Sequence, residues 1–243
     1  MVGRMTKVVI PEAALLSENS YRALRQAILS CSISPGAVLT ETAIMERLKV
    51  GKSTCRFALV RLVQEGFVRS LPRQGYLVVP ITLADVEELF ALRLMLEPEA
   101  ARLAAGKVDT RMLARLDAIA RNNTASTDAG NRIGFFLDAN REFHSAIAAA
   151  SGNARLARMI SGLLDEMKRL VALGFGGKSD SPEIEGDHLQ IISALATGNG
   201  VEAVNIVRRH ITKFREMTME RVLDKLLQGN VLLPTNLLRS SND

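Results

Sequence analysis

Apolar residues recur at helical spacing along most of the chain, and one short stretch departs from that pattern. In the first 66 residues, helical spacing covers the segments 20–30, 40–48 and 52–65. Thr40 is suited to cap the second of these helices, and Gly66 stands where a glycine often ends the third. The stretch from Phe67 to Pro80 instead holds two short β-prone runs around Pro72-Arg73-Gln74-Gly75, which predicts a hairpin.

From Ile81 onward the pattern is helical almost throughout. Thr82 is a candidate N-cap, and we expect a kink or break at Pro98 in the helix that follows. Further helices are predicted at 110–121, 132–150, 154–173, 182–197 and 201–227, with a polar loop at 122–131 and a Gly-rich connection at 174–181. The sequence therefore predicts a mainly α protein in three parts: a domain of three helices and a hairpin over 14–80, an all-helical domain over 81–228, and a flexible tail over 229–243.

The positive charge is concentrated in the first of these parts. Residues 1–80 hold 11 Lys and Arg against 5 Asp and Glu, whereas residues 81–243 hold 20 against 21. A basic domain joined to a nearly neutral one is typical of proteins that bind nucleic acid, but a merely solvated basic face has the same composition.

The predicted order of elements is that of a winged helix-turn-helix: a helix, a short helix, a turn, a second helix and a hairpin. In that arrangement the second helix of the pair lies in the major groove, where its N-terminal residues reach base edges. Cations suit guanine there and hydroxyls suit phosphates, and this chain supplies both in Lys52, Ser53, Thr54 and Arg56. The same order of elements also occurs as a plain packing unit, so the pattern alone leaves DNA binding and packing open.

Residues 20–80 resemble the DNA-binding domain of GntR-type regulators. The matching features are Ile28, Pro35-Gly36, Leu39, Glu41, Val50, Arg56, Ala58-Leu59, Leu62, Glu65-Gly66 and Gly75. The resemblance implies these contacts with the operator: Lys52, Ser53, Thr54 and Arg56 from the recognition helix, Thr42 from the start of the preceding helix, and Gln74 and Gly75 from the wing tip in the minor groove. It also implies a homodimer, formed through the C-terminal domain, that binds a short inverted repeat of double-stranded DNA.

Two departures from the family pattern affect base recognition. Lys52 replaces an arginine and so lacks the bidentate fork that an arginine offers to guanine. Phe57 replaces a glutamate, and two roles are open for it: contact with a thymine methyl group, or packing against the neighbouring helix.

The three histidines of the chain all lie on apolar helix faces in the second domain. His144, His188 and His210 belong to three different predicted helices, and Asn140 precedes His144 by one turn. Imidazole is a common ligand of divalent transition metals, so the pattern favours a metal site. The alternative is three hydrogen-bonded core histidines.

Residues 86–227 resemble the FCD domain, the helical ligand-binding domain of FadR-like GntR regulators. The resemblance is carried by the motifs Arg93-Leu94-Met95-Leu96-Glu97, Asn140-Arg141-Glu142-Phe143-His144 and Ala150-Ser151-Gly152-Asn153, and by the spacing to His188 and His210. It implies a divalent ion (zinc, nickel or manganese) held by Asn140, His144, His188 and His210, with asparagine in place of the commoner aspartate. A small carboxylate effector would complete the site, with Arg93 as a second anchor, although an ion pair with Glu97 is the other role open to Arg93.

Together these features predict a transcription regulator, acting as a repressor, rather than an enzyme. A three-histidine site also suits a zinc enzyme acting on a small acid, but Glu97 is the only candidate general base. A metal-free regulator that senses acyl-CoA is the remaining alternative, and the intact histidine set argues against it. The sequence has no apparent secretion signal, no membrane span and only two cysteines, so we expect a cytoplasmic protein without membrane contact.

Overall fold

A computed structural model of the chain describes residues 12–121, 129–175 and 187–228. The described residues divide into two compact units, with the boundary between Pro80 and Ile81. Helices dominate both units, and the one sheet in these three ranges belongs to the first unit. The predicted mainly α architecture, with a helix-turn-helix and wing followed by a helical bundle, is confirmed.

The N-terminal unit packs three helices against a small antiparallel sheet. Its elements are α1 (Glu12–Leu29), β1 (Val38–Leu39), α2 (Glu41–Leu48), α3 (Lys52–Gln64), β2 (Val68–Leu71) and β3 (Gly75–Val78). The sheet order is β1-β3-β2, so β3 is the central strand of the wing. A single apolar core joins the helices to the sheet, and α3 is buried in it through Cys55, Ala58, Leu59 and Leu62.

Two residues mark the start of α2 and the end of α3. Thr40 accepts a hydrogen bond at Oγ1 from the Ala43 amide and so begins α2, as the sequence predicts. Gly66 adopts a φ of +78° directly after the residue that caps α3, a conformation that favours glycine. These two features therefore fix where α2 begins and where α3 ends, and the chain leads from Gly66 directly into the wing.

The C-terminal unit is all helical within the described residues. Its elements are α4 (Leu83–Ala104), α5 (Thr110–Arg121), α6 (Ala129–Ala150), α7 (Ala154–Phe175), α8 (Asp187–Ala196) and α9 (Gly200–Leu227). A capping box between Thr82 and Asp85 starts α4. The most extensive helix pair is α4 with α9, and α6 and α7 pack against α4 as well.

The structure corrects several of the predicted boundaries. α4 continues through Pro98 without the expected break, because Pro98 is buried and apolar packing on both sides holds the helix across the one missing hydrogen bond. Residues 129–131 belong to α6 rather than to the polar loop, and Gly174 belongs to α7 rather than to the Gly-rich connection. The rest of that loop, the rest of the connection after Phe175 and the tail over 229–243 lie outside the described residues.

None of the helices in the described ranges is both long enough and apolar enough to cross a membrane.

Candidate functional site

The outer face of α3 carries three of the seven residues predicted to contact DNA. Lys52, Ser53 and Arg56 are exposed, whereas Thr54 is only 8% exposed and offers little surface to a ligand. Thr42, at the start of α2, is exposed as well. The structure therefore brings two cations and a hydroxyl together at the N-terminal end of one helix.

Arg56 is already paired in the isolated chain. Its Nε lies 2.9 Å from Glu41 Oε1, and 57% of the arginine side chain is exposed. The hydrogen bond to Glu41 raises the pKa of Arg56 above its usual value, so the guanidinium stays charged. An exposed pair of this kind is weak, and an incoming phosphate or guanine can replace the carboxylate at little cost.

The wing tip depends on one glycine. Gly75 has a φ of +110°, and a Cβ added there would lie 2.3 Å from the Leu39 carbonyl oxygen. The close approach arises because β1 pairs with β3, with Leu39 opposite Tyr76. Gln74, the other predicted wing-tip residue, is exposed beside it.

Three buried histidines converge inside the helical unit. His144 comes from α6, His188 from α8 and His210 from α9, and none is more than 3% exposed. One ring nitrogen from each can be chosen so that all three lie within 4.8 Å of one another. Nitrogens that bind one zinc ion at about 2.0–2.1 Å are closer than this limit, so small side-chain shifts would bring the three rings around a single ion.

Each histidine turns its Nδ1 toward a carboxylate of a different element. His144 Nδ1 lies 2.8 Å from Glu97 Oε2, and His188 Nδ1 lies 3.2 Å from Asp117 Oδ1. His210 Nδ1 lies 3.6 Å from Asp187 Oδ2, which is beyond hydrogen-bond distance. Outer carboxylates of this kind fix the tautomer of a metal-binding imidazole and direct its other nitrogen toward the ion.

The inward-facing atoms lack partners within the described part of the chain. The Nε2 atoms of all three histidines are buried without a hydrogen bond, and so are both amide atoms of Asn140. Asn140 lies one turn before His144 on α6 and is 1% exposed. Buried polar atoms without partners are costly, and a cation would satisfy the three Nε2 atoms and Asn140 Oδ1, whereas the Asn140 Nδ2 group needs a hydrogen-bond acceptor.

The protonation states suit a metal ligand set. Burial lowers the pKa of His144, and it lowers the pKa of His210 to about 3 despite the nearby Asp187. Burial alone would raise the pKa of Glu97, but Arg93 and His144 outweigh it and hold that pKa well below the usual range. These two histidines are therefore neutral at pH 7 and the carboxylate is charged.

Arg93 forms an ion pair with Glu97, one of the two roles that the sequence leaves open for it. The side chain is completely buried, and its guanidinium pairs with Glu97 through both Nε and Nη2. Arg93, Glu97 and His144 thus form a chain of contacts from α4 to the histidine cluster. A cavity of about 10 Å³ lies beside Glu97 and His144, which is room for about one water molecule.

Sequence reasoning missed two residues of this centre, Asp117 and Asp187. Asp117 is a 3%-exposed carboxylate on the inner face of α5, between the buried Leu113 and Ala120. A lone aspartate on an apolar stripe was the available signal. Asp187 directly precedes His188 and carried no comparable signal, because its partner His210 lies on another helix.

Two family models match the chain. Residues 16–78 match the model described as bacterial regulatory proteins of the gntR family, and residues 88–213 match the FCD domain. The second match covers just over half of the chain, and it contains every residue of the histidine centre.

Curated relatives and solved structures agree with these matches. The HTH-type transcriptional regulator BphR of Paraburkholderia xenovorans is 26% identical, over 84% of this chain and 85% of its own. The HTH-type transcriptional repressor RspR of Escherichia coli is 25% identical, over 83% of this chain and 88% of its own. The fold is similar to that of a GntR regulator from Rhodococcus sp. RHA1, with a TM-score of 0.70, 22% identity, and coverage of 84% of this chain and 97% of that one.

The gntR model matches the helix-turn-helix and the wing, and the FCD model matches the helical bundle that carries the histidines. The relatives are transcriptional regulators rather than enzymes. The chain belongs to the GntR family of bacterial transcriptional regulators, in the group that carries an FCD domain.

Proposed function

We propose that this regulator is a homodimeric repressor whose binding to operator DNA is controlled by a small carboxylate effector at a divalent metal ion in the FCD domain. The N-terminal unit would supply the DNA contacts, and the C-terminal unit would supply dimerisation and the effector site. The observation that carries the proposal is the convergence of ring nitrogens from three buried histidines, whose Nε2 atoms have no partner in the described part of the chain; the equally unpartnered Asn140 amide lies one turn before His144. Repression is favoured because the relative RspR is named a transcriptional repressor.

The DNA contacts are assigned to one exposed surface. Lys52 and Arg56 would bind bases or phosphates in the major groove, with Ser53, Thr54 and Thr42 as weaker polar contacts. Gln74 and Gly75 would enter the adjacent minor groove. Support comes from the exposure of Lys52, Ser53, Arg56, Thr42 and Gln74, whereas Thr54 has the least surface to offer.

The ion is assigned to Asn140, His144, His188 and His210. Three imidazoles favour zinc or nickel, and the amide oxygen is also acceptable to manganese. When bound, the ion would supply Lewis acidity for a carboxylate ligand. Glu97 and Asp117 hydrogen-bond His144 and His188, Asp187 lies 3.6 Å from His210, and the three carboxylates would add negative charge around the ion.

The effector would bind at a coordination position left open by the four protein ligands. The present cavity beside Glu97 and His144 has room for about one water, so a carboxylate must displace side chains to enter. Arg93 can anchor that carboxylate only when its pair with Glu97 opens. Effector entry would therefore rearrange contacts between α4 and α6, which gives the two states that allosteric control requires.

Metal analysis tests the ion. Protein treated with chelator and then dialysed is titrated calorimetrically with zinc, nickel or manganese. We expect one ion per chain, with binding lost in His188→Ala and kept in Leu189→Ala, the control at the adjacent position, where the side chain is 47% exposed. Equal binding by both variants would exclude this site, and no binding by the wild type would favour a metal-free regulator.

DNA binding and control are tested together. Duplexes that the protein selects from a random library are bound by wild type, Lys52→Ala and Arg56→Ala over a range of salt concentrations. Arg56→Ala should abolish specific binding, and Lys52→Ala should weaken it and flatten its salt dependence. Small carboxylates are then screened by thermal shift with and without metal, and sedimentation should show a dimer at micromolar concentration. A monomer, or variants that bind like wild type, would contradict these assignments.

A further inference from the structure

Two large apolar side chains stand exposed in the middle of the outer face of α3. Phe57 is 45% exposed and Val60 is 53% exposed. They lie one turn apart, so they share a surface of the helix. Arg56 and Ser53 flank them, which places the apolar pair next to the residues assigned to DNA.

Packing within the unit does not account for Phe57. The residues that form or adjoin the buried core of the described N-terminal unit include Cys55, Ala58 and Leu59 of the same helix, but not Phe57. Its ring lies 5.7 Å from the Arg61 guanidinium, and that guanidinium lies closer, at 3.5 Å, to the Tyr21 ring of α1. Arg61 also pairs with Glu18. The neighbouring helix therefore contacts Arg61, and Phe57 keeps half of its surface free.

The surroundings define what this apolar surface can meet. The cation Arg56 lies one turn before Val60 on the same side of the helix, and the first 80 residues have an excess of positive charge, so the complementary partner is a polyanion. The major groove of DNA is such a partner, and the C5 methyl of thymine is the one apolar group that its unmodified base edges present. Phe57 follows the exposed Ser53 by one turn on the same side of α3, about 6 Å along the helix axis, which is within reach of the next base pairs along the groove.

We propose that Phe57, supported by Val60, contacts thymine methyl groups and makes the operator of this regulator thymine-dependent at those positions. The inference rests on the proposed DNA-binding function and assigns a base preference within the same face. Removing one buried methyl group costs about fourfold in affinity, from the usual transfer free energy of a methyl-sized group.

Uracil replacement isolates the methyl group. A duplex that the wild-type, full-length protein enriches from a random library is remade with each thymine changed in turn to uracil, which removes only the methyl. Affinities are measured by fluorescence anisotropy at constant salt. We expect one or two uracil positions per half-site to weaken wild-type binding about fourfold each.

The variants then assign the effect to a side chain. Phe57→Ala should bind thymine and uracil duplexes equally, with an unchanged salt slope because no phosphate contact is lost. Phe57→Leu should keep part of the discrimination. Leu16→Ala, at an exposed apolar position on α1, should behave like wild type.

The outcomes separate the two levels of the proposal. If no duplex is enriched, both DNA binding and thymine recognition are excluded. If a duplex is enriched but uracil never weakens binding, or if Phe57→Ala still discriminates, DNA binding stands and the role of Phe57 is excluded.

Discussion

Replacing Arg93 with methionine should destabilise the helical unit strongly, because it would leave a buried charge without its partner. The Glu97 side chain is 5% exposed and pairs with Arg93 on the preceding turn of α4. Its other close partner is His144, and burial lowers the pKa of that histidine, so no second cation replaces the guanidinium. Breaking a buried pair on one side typically costs about 3–5 kcal/mol, and we expect Arg93→Met to fall in that range.

The same helix provides a matched control. Arg102 pairs with Glu99 through two hydrogen bonds, but about half of each side chain is exposed. Solvent screens such a pair, so Arg102→Met should leave the free energy of unfolding close to that of wild type. The double variant Arg93→Met/Glu97→Gln removes the stranded charge and should recover most of the loss.

The assay can follow the two units separately. The chain has no tryptophan and two tyrosines, Tyr21 and Tyr76, which both lie in the N-terminal unit. Tyrosine fluorescence during urea unfolding therefore follows that unit, whereas circular dichroism at 222 nm mainly follows the helical unit. The reasoning is refuted if Arg93→Met unfolds at the same urea concentration as Arg102→Met, or if the double variant is no more stable than the single one.

Three further predictions follow from the wing and the histidine centre. Gly75→Ala should destabilise the N-terminal unit by more than Gly66→Ala, for which we expect a cost of roughly 1–2 kcal/mol. Both positions have positive φ, but only at Gly75 would the new Cβ meet the Leu39 oxygen. Tyrosine fluorescence during urea unfolding measures the difference. Asp117→Asn should weaken zinc binding by roughly 10- to 100-fold in calorimetry while Gln190→Ala, at an exposed position on α8, does not. When chelator keeps the protein free of metal, its melting temperature should fall as the pH drops below the ordinary histidine pKa of 6.5. Burial holds the folded-state pKa of His210 at about 3, so the protein takes up protons when it unfolds in this range. A melting temperature that stays constant between pH 7 and 5 would contradict this.

Local signals predicted the DNA-binding unit well. Thr40 and Gly66 mark helix ends through their own side chain or backbone, and the turn at Pro72–Gly75 marks the hairpin, so each element could be located from a few adjacent residues. β1 was missed because it has two residues, and only pairing with β3 makes it a strand. Of the kink or break expected at Pro98, the break did not occur, because packing along α4 outweighs one missing hydrogen bond.

The histidine centre divides in the same way between local and long-range information. Helical spacing placed Asn140, His144, His188 and His210 on inward faces, and the structure buries all four. The carboxylates behind the imidazoles could not be assigned, because Asp117 and His188 are 71 positions apart and meet only in the folded bundle. Arg93 had two possible roles in sequence; the structure shows its buried pair with Glu97, and its role toward an effector stays a prediction.

The burial of the histidine centre also determines how quickly an ion could leave it. The histidines are at most 3% exposed and their inward nitrogens are covered by three different helices, so exchange with the solvent requires the bundle to open locally. Opening of that kind is governed by the stability of the bundle rather than by the concentration of free metal outside. An ion bound there would therefore exchange slowly, at a rate set by that local opening, and both chelation and reloading of the folded protein would take correspondingly long.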